Sequence, residues 1–166
     1  MKILGIDVGL AIVGYGLIEK NESSIKYLSH GVITTSKFST NSERLVLIYN
    51  ELNDLLDKEK PDLVGIEQLF FFRNATTIIT VGQARGVILL ALEEKHLKIV
   101  EVTPLQVKQF VSMYGKADKK QVQKMIKFLL NLNEIPKPDD AADGLAIALC
   151  SININKKNDI TFKNKS

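Results

Sequence analysis

Residues 2–35, KILGIDVGLAIVGYGLIEKNESSIKYLSHGVITT, decide the fold. Residues 2–6, roughly 11–19 and roughly 25–35 are rich in Ile, Val, Leu and Tyr, with Gly9 and the polar turn Asn21–Ser24 between them. They read as three consecutive antiparallel strands. The first is followed at once by Asp7, and a carboxylate that closes an apolar strand organises the reading of everything beyond it.

Working outward, Thr40 and Glu43 make a capping box, after which Leu45, Ile48, Leu52 and Leu55 recur at helical steps until Pro61 stops the pattern. A strand at 62–66 then delivers Glu67. A loop with Phe70, Phe71, Phe72, Arg73 and Asn74 follows, and Ala75 to about Lys95 reads as a helix carrying Gly82 and Gly86. Two glycines about one turn apart cost about 1 kcal/mol each relative to alanine, which points to close approach of another backbone, that of a partner helix. Residues 98–103 form a strand, Pro104 starts a short helix to Met113, and Ala117 or Asp118 starts another that runs to about Leu132. Pro136 and Pro138 interrupt the chain before a last helix from Asp139 or Asp140 to near Asn153. The fold expected is α/β: a mixed five-stranded sheet, three antiparallel strands and then parallel strands alternating with helices, covered on both faces.

One domain, residues 1–153, accounts for 166 residues that are 45% hydrophobic, and the Asn- and Lys-rich segment 154–166 has too little apolar content to pack and is expected to be disordered. The single Cys150 excludes an internal disulfide, no secretory leader is visible, and no apolar run reaches the ~20 residues of a membrane span. A cytoplasmic protein is expected. The formal charge of +3 is mildly basic, but lysine concentrates at Lys108, Lys116, Lys119, Lys120, Lys124 and Lys127 and again in the tail, which suits a polyanion.

Asp7, Glu67, Asp140 and Asp143 all stand where the chain otherwise reads as buried strand or the start of an apolar helix. Two carboxylates about 4 Å apart repel by about 4 kcal/mol at an effective dielectric of 20, so a cleft that gathers several needs a cation. Oxygen ligands suit Mg²⁺, with Mn²⁺ as a substitute; zinc would want His or Cys, and His30, His96 and Cys150 have unrelated spacings. Asp140 and Asp143, at i and i+3, share one helix face and can address one site. Each acid also has a plainer reading, Asp140 as an N-cap and Asp143 as a favourable first-turn charge. His30 and His96 read as structural or surface residues.

Taken in order, Gly5-Ile6-Asp7-Val8-Gly9, Ile66-Glu67-Gln68-Leu69-Phe70, Gly82-Gln83-Ala84-Arg85-Gly86 and Asp140-Ala141-Ala142-Asp143 closely resemble the RuvC family of crossover (Holliday) junction endodeoxyribonucleases. The match extends through Pro104, Val107 and Lys108 and through Ala117-Asp118-Lys119-Lys120-Gln121-Val122, covering residues 1 to about 153. The resemblance implies an RNase H-like fold and a homodimer. It implies Mg²⁺-dependent, symmetric cutting of a four-way DNA junction to 5′-phosphate and 3′-hydroxyl nicks, with branch-migration motors of the RuvA and RuvB type as partners. It places Asp7, Glu67, Asp140 and Asp143 as metal ligands, around two ions with Asp7 bridging, and Phe70 as an aromatic wedge. Lys108 and Lys119 stand at its catalytic or phosphate-contacting lysines. Arg73, Asn74, Lys116 and Lys120 are further candidate DNA contacts. Val8 and Val13 depart from the family's usual proline and small hydroxyl residue, which bears on loop rigidity and sequence preference rather than on the metal chemistry.

Three rival functions remain at this point. A strand followed by Asp-x-Gly also opens actin-like ATPases, but those need a second lobe and a later Asp-x-Gly-Gly loop that this chain lacks. A related nuclease acting on structured RNA, such as a ribosomal RNA precursor, would use the same metal chemistry. A module that grips junctions without cutting would be expected to have lost at least one of the four acids.

Overall fold

The computed structural model describes residues 1–69, 75–112 and 118–163. The strands are β1 (Lys2–Asp7), β2 (Ile12–Lys20), β3 (Ile25–Thr34), β4 (Leu63–Glu67) and β5 (Lys98–Val102), in the spatial order β3-β2-β1-β4-β5. β1, β2 and β3 pair antiparallel, whereas β4 and β5 join parallel, as the order of strands and helices in the sequence requires. The helices are α1 (Asn41–Glu59), α2 (Ala75–Glu94), α3 (Pro104–Ser112), α4 (Lys119–Leu129) and α5 (Asp139–Lys163). The Thr40 capping box is present: Glu43 N–H donates to Thr40 Oγ1 at 3.3 Å, and Thr40 N–H donates to Glu43 Oε2 at 2.7 Å. Lys60, in the left-handed region at φ 49°, ends α1 before Pro61.

Alternation along the strands divides the core into two layers. Ile3, Ile18, Leu63, Val100 and Val102 pack with α3, α4 and α5, while Leu4, Ile6, Leu17, Val64 and Ile66 pack with α1 and α2. The sheet is therefore covered on both faces, and the parity of each strand fixes where its last residue points. Asp7 shares the face of Ile3 and Gly5, and Glu67 the face of Leu63 and Gly65, so both end on the α5 side.

That face is paved with glycine where α5 crosses it. A Cβ added at Gly5 would collide with the backbone of Gly144 and Ala148, and one added at Gly16 would stand 2.5 Å from the Leu145 nitrogen. From the helix side, a Cβ on Gly144 would stand 2.6 Å from the Tyr15 carbonyl carbon. The helix lies almost on the sheet backbone, which brings its first turn down to the end of β1.

One expectation needs correction. α5 does not stop near Asn153 but continues to Lys163; Ile154 packs against the core and Asn155 is buried, so the inward face of the helix runs past the point where composition alone ends it. Among the described residues the glycines of α2 meet no backbone of this chain: a Cβ on Gly82 would reach only Leu69 Cδ1 at 3.9 Å, and one on Gly86 would meet nothing within 4 Å. Cys150 is buried in α5. Among the described residues no helix is long and apolar enough to cross a membrane.

Candidate active site

Asp7 and Glu67 come to the same edge of the sheet because β1 and β4 run parallel, with Ile6 opposite Ile66. On the other side of β1, Asp7 pairs with Gly14, and a side chain at Gly14 would collide with Asp140. Asp140 and Asp143 occupy the first turns of α5, where the N-terminal partial charge of a helix favours carboxylates. Asp140 is the second residue of that helix rather than its cap.

Asp7, Glu67 and Asp143 line one cleft of about 250 Å³ together with Lys108 of α3 and Lys119 of α4. Pro104, Val107, Val122 and Ile147 supply its apolar walls. Both lysines are aimed by helix starts with reciprocal caps. Thr103 and Gln106 exchange bonds of 2.8 and 3.1 Å at the head of α3, and Asp118 and Gln121 exchange bonds of 3.0 and 2.8 Å at the head of α4. Lys119 Nζ lies 2.9 Å from Asp143 Oδ2 and 3.6 Å from Asp139 Oδ2.

The electrostatics follow from the apolar walls. Burial, then the charges of Asp143, Glu67 and Asp140, push the Asp7 carboxyl up to about 7, against the opposing pull of Lys119. Burial and Asp143 raise Glu67, with Lys108 opposing. Burial raises Asp143 too, although Lys119 opposes it by hydrogen bond and charge. Burial would lower Lys119, but its bond to Asp143 and the charges of Asp143, Asp139 and Asp140 outweigh that and raise it. A cleft that holds ionised carboxylates at this cost is one that gains from a cation.

The oxygen-only donor set fits a hard divalent ion such as Mg²⁺. As the side chains stand, no group of three or more His, Cys, Asp or Glu among the described residues is drawn in closely enough to hold one. Lys119, bonded to Asp143, supplies positive charge there instead.

The remaining sequence-derived residues fare differently. Asp140 lines an adjoining hollow rather than the cleft, while its charge reaches both Asp7 and Asp143. Lys120 is exposed on α4 and lines neither space. Phe70, Arg73, Asn74 and Lys116 lie outside the described residues. Arg85, from the glycine-flanked motif of α2, bonds Glu101 at 2.8 Å and ties that helix to β5. Sequence reasoning passed over Asp139, which accepts a bond from Gln123 Nε2 at 2.9 Å and helps hold Lys119; its only signal was the second carboxylate beside Asp140.

Comparison with known proteins fits this geometry. Residues 3–151 match the family model described as crossover junction endodeoxyribonuclease RuvC. The chain belongs to the RuvC family. It is 55% identical over 150 residues to the RuvC of Thermosipho melanesiensis, covering 90% of this chain and 96% of that one. It is 54% identical over 153 residues to the RuvC of Caldicellulosiruptor saccharolyticus, covering 92% of each. Among solved structures, Thermus thermophilus RuvC in complex with a Holliday junction substrate superposes with a TM-score of 0.86 at 30% identity, over 95% of this chain and 96% of that one. The yeast mitochondrial Holliday junction resolvase Ydc2, at TM-score 0.64 and 18% identity over 90% of this chain and 78% of that one, shares the fold. The RNase H-like architecture expected from the RuvC resemblance is the one found.

Proposed function

We propose that the chain is a homodimeric, divalent-metal-dependent resolvase that cuts two opposed strands of a four-way DNA junction. The observation that carries this is the meeting of Asp7, Glu67 and Asp143 with Lys108 and Lys119 in one cleft, with Asp140 beside it. Family membership supplies the substrate class, since the relatives are crossover junction endodeoxyribonucleases.

Asp7, Glu67, Asp140 and Asp143 would hold Mg²⁺, two ions per site. Bound Mg²⁺ supplies an activated water and charge stabilisation at the leaving oxygen. Hydrolysis would join a water oxygen to phosphorus and break the P–O3′ bond, with a proton from the water passing to O3′, leaving a 5′-phosphate and a 3′-hydroxyl. Lys119, freed from Asp143 once that carboxylate is engaged, and Lys108 would face the charge gathering on the phosphoryl oxygens. Phe70 would wedge the junction, and Arg73, Asn74, Lys116 and Lys120 would contact its backbone.

The dimer reading rests on α2. Ile79, Gly82, Gly86 and Leu90 fall on one stripe of that helix, with Ile79 62% and Leu90 54% exposed and open space over Gly86 among the described residues. A two-fold substrate cut symmetrically matches a two-fold enzyme. A cytoplasmic location and branch-migration motors of the RuvA and RuvB type complete the reading.

The test is strand cleavage of a mobile four-way junction and of matched linear duplex in Mg²⁺, with and without EDTA, by wild type and Asp7→Asn. Paired symmetric nicks confined to the junction, abolished by EDTA and by Asp7→Asn while binding persists, are expected. Binding without cleavage would leave a junction-binding module, and equal cutting of duplex would sink the proposal.

A further inference from the structure

Beside the acid cleft lies a second hollow of about 450 Å³, with Asp140 on one wall and Arg44 on another. Its floor is the β1–β2 turn, where Gly9 and Ala11 leave the backbone nearly bare; a Cβ at Gly9 would run into the Ile12 carbonyl. Asn41 of α1 and Thr77 and Thr80 of α2 add polar groups to the lining, and Arg44 is its one cation among the described residues.

Arg44 is held in place by a chain of bonds. Its Nε–H donates to Thr35 Oγ1 at 2.7 Å, and the Thr35 hydroxyl donates to the Leu10 carbonyl at 2.7 Å. The Thr35 N–H donates to the Ala11 carbonyl at 3.0 Å, which fixes the same threonine to the turn a second time. Only one of the five guanidinium N–H groups is used by Thr35, and among the described residues no carboxylate pairs with Arg44. A guanidinium anchored at Nε, with its terminal fork left over, is prepared for a planar, two-oxygen anion.

We infer that this hollow is a backbone-phosphate subsite, in which Arg44 grips a phosphate next to the scissile one and so sets the register of the strand across the acids. The inference rests on the nuclease reading above. Because Asp140 lines the hollow and lies against Gly14, the β2 partner of Asp7, a strand with one phosphate at the cleft would lay a neighbouring phosphate over the turn. Asp140 would repel that phosphate, and Arg44 offsets it. At 3.6 residues per turn, Thr77 lies opposite the Ile79–Leu90 stripe of α2 and Thr80 on its flank, about 100° from Ile79, so the subsite and the proposed dimer contact use different faces of the helix. Arg44 is a positioning residue here, not a catalytic one.

The test combines a protein variant with a substrate variant. Single-turnover cleavage of a four-way junction is measured for wild type and Arg44→Gln, with one uncharged methylphosphonate placed in turn at each phosphate flanking the cut. For wild type, one flanking position should raise the half-saturating enzyme concentration about tenfold, with the maximal rate within about twofold, as expected for one lost charge-assisted contact. Arg44→Gln should show that same loss on the unmodified junction and no further loss at that position. It should also lower the salt slope of binding by about 0.9. Arg44→Lys, which keeps charge without the fork, should recover only part. No sensitive flanking phosphate in wild type, a result that needs no variant to fold, would overturn the inference, as would losses that multiply at every position. A wild type that leaves the junction whole would instead overturn the nuclease reading beneath it.

Discussion

Lys119 Nζ stands 2.9 Å from Asp143 Oδ2, so a cation from α4 is built into the acid cleft. With its side chain about half exposed, that pair contributes no more than about 1 kcal/mol to stability after solvent screening. Its larger effect is on protonation, because Lys119 opposes the rise of both Asp7 and Asp143. Lys119→Met should therefore fold with nearly wild-type stability, while the acid limb of its cleavage pH profile moves to higher pH and its rate at neutral pH falls at least about tenfold. Lys119→Arg should keep the limb near its wild-type position. An unmoved limb in Lys119→Met would show that the ammonium does not tune the acids.

The Asp7 carboxyl, pushed up to about 7, makes stability depend on pH with a definite sign. Between its unfolded value near 3.8 and about 7, the folded chain binds a proton that the unfolded chain does not. Stability in EDTA should therefore fall as pH rises through that window, by up to roughly 4 kcal/mol from this group. Asp7→Asn should flatten the fall and be more stable than wild type at pH 8 but not at pH 4. Added Mg²⁺ should raise wild-type stability more at pH 8 than at pH 6, since protons and metal compete for the same oxygen. Denaturant titrations at the three pH values decide it.

Most of this was legible in the sequence for a physical reason. Strand alternation and the Thr40–Glu43 box are local signals, and Asp7 and Glu67 end strands whose parity alone fixes the face they occupy. The glycines of the α5 face carry their meaning only across the sheet: Gly5, Gly16 and Gly65 look like weak strand residues until α5 is laid over them. Arg44 escaped notice because an arginine in an amphipathic helix is ordinary; its interest lies in a threonine nine residues earlier that ties it to the β1–β2 turn. The extent of α5 is not legible because Ile154 continues its inward face into a stretch whose composition reads as solvent-loving.

The α2 stripe separates folding from assembly. Gly86 sits in a helix with open space over it, so a larger residue meets no obstacle among the described residues and gains helix propensity of up to about 1 kcal/mol. Gly86→Leu, and Leu90→Asp at the neighbouring turn, should stay folded yet sediment as monomers where wild type sediments as a dimer. Junction cutting should then lose its pairing, giving single unmatched nicks. A Gly86→Leu protein that remains dimeric would move the interface off this helix.

Gly144 couples the position of the acids to the packing of the core. Its backbone lies so near β2 that an added Cβ would stand 2.6 Å from the Tyr15 carbonyl carbon and 2.7 Å from the Gly16 nitrogen, neither of which can rotate away as a side chain would. Relief requires α5 to lift off the sheet, and Asp143, the residue before, must lift with it. Gly144→Ala should therefore cost about 3 kcal/mol or more by overpacking, and any folded fraction should cut far more slowly than the stability loss explains. At low temperature, where that fraction dominates, the expected signature is a cleavage rate down at least about a hundredfold with a raised Mg²⁺ requirement, since misplacement by about 1 Å is enough for such a loss. Wild-type activity per folded molecule would show that the close approach of α5 serves packing alone.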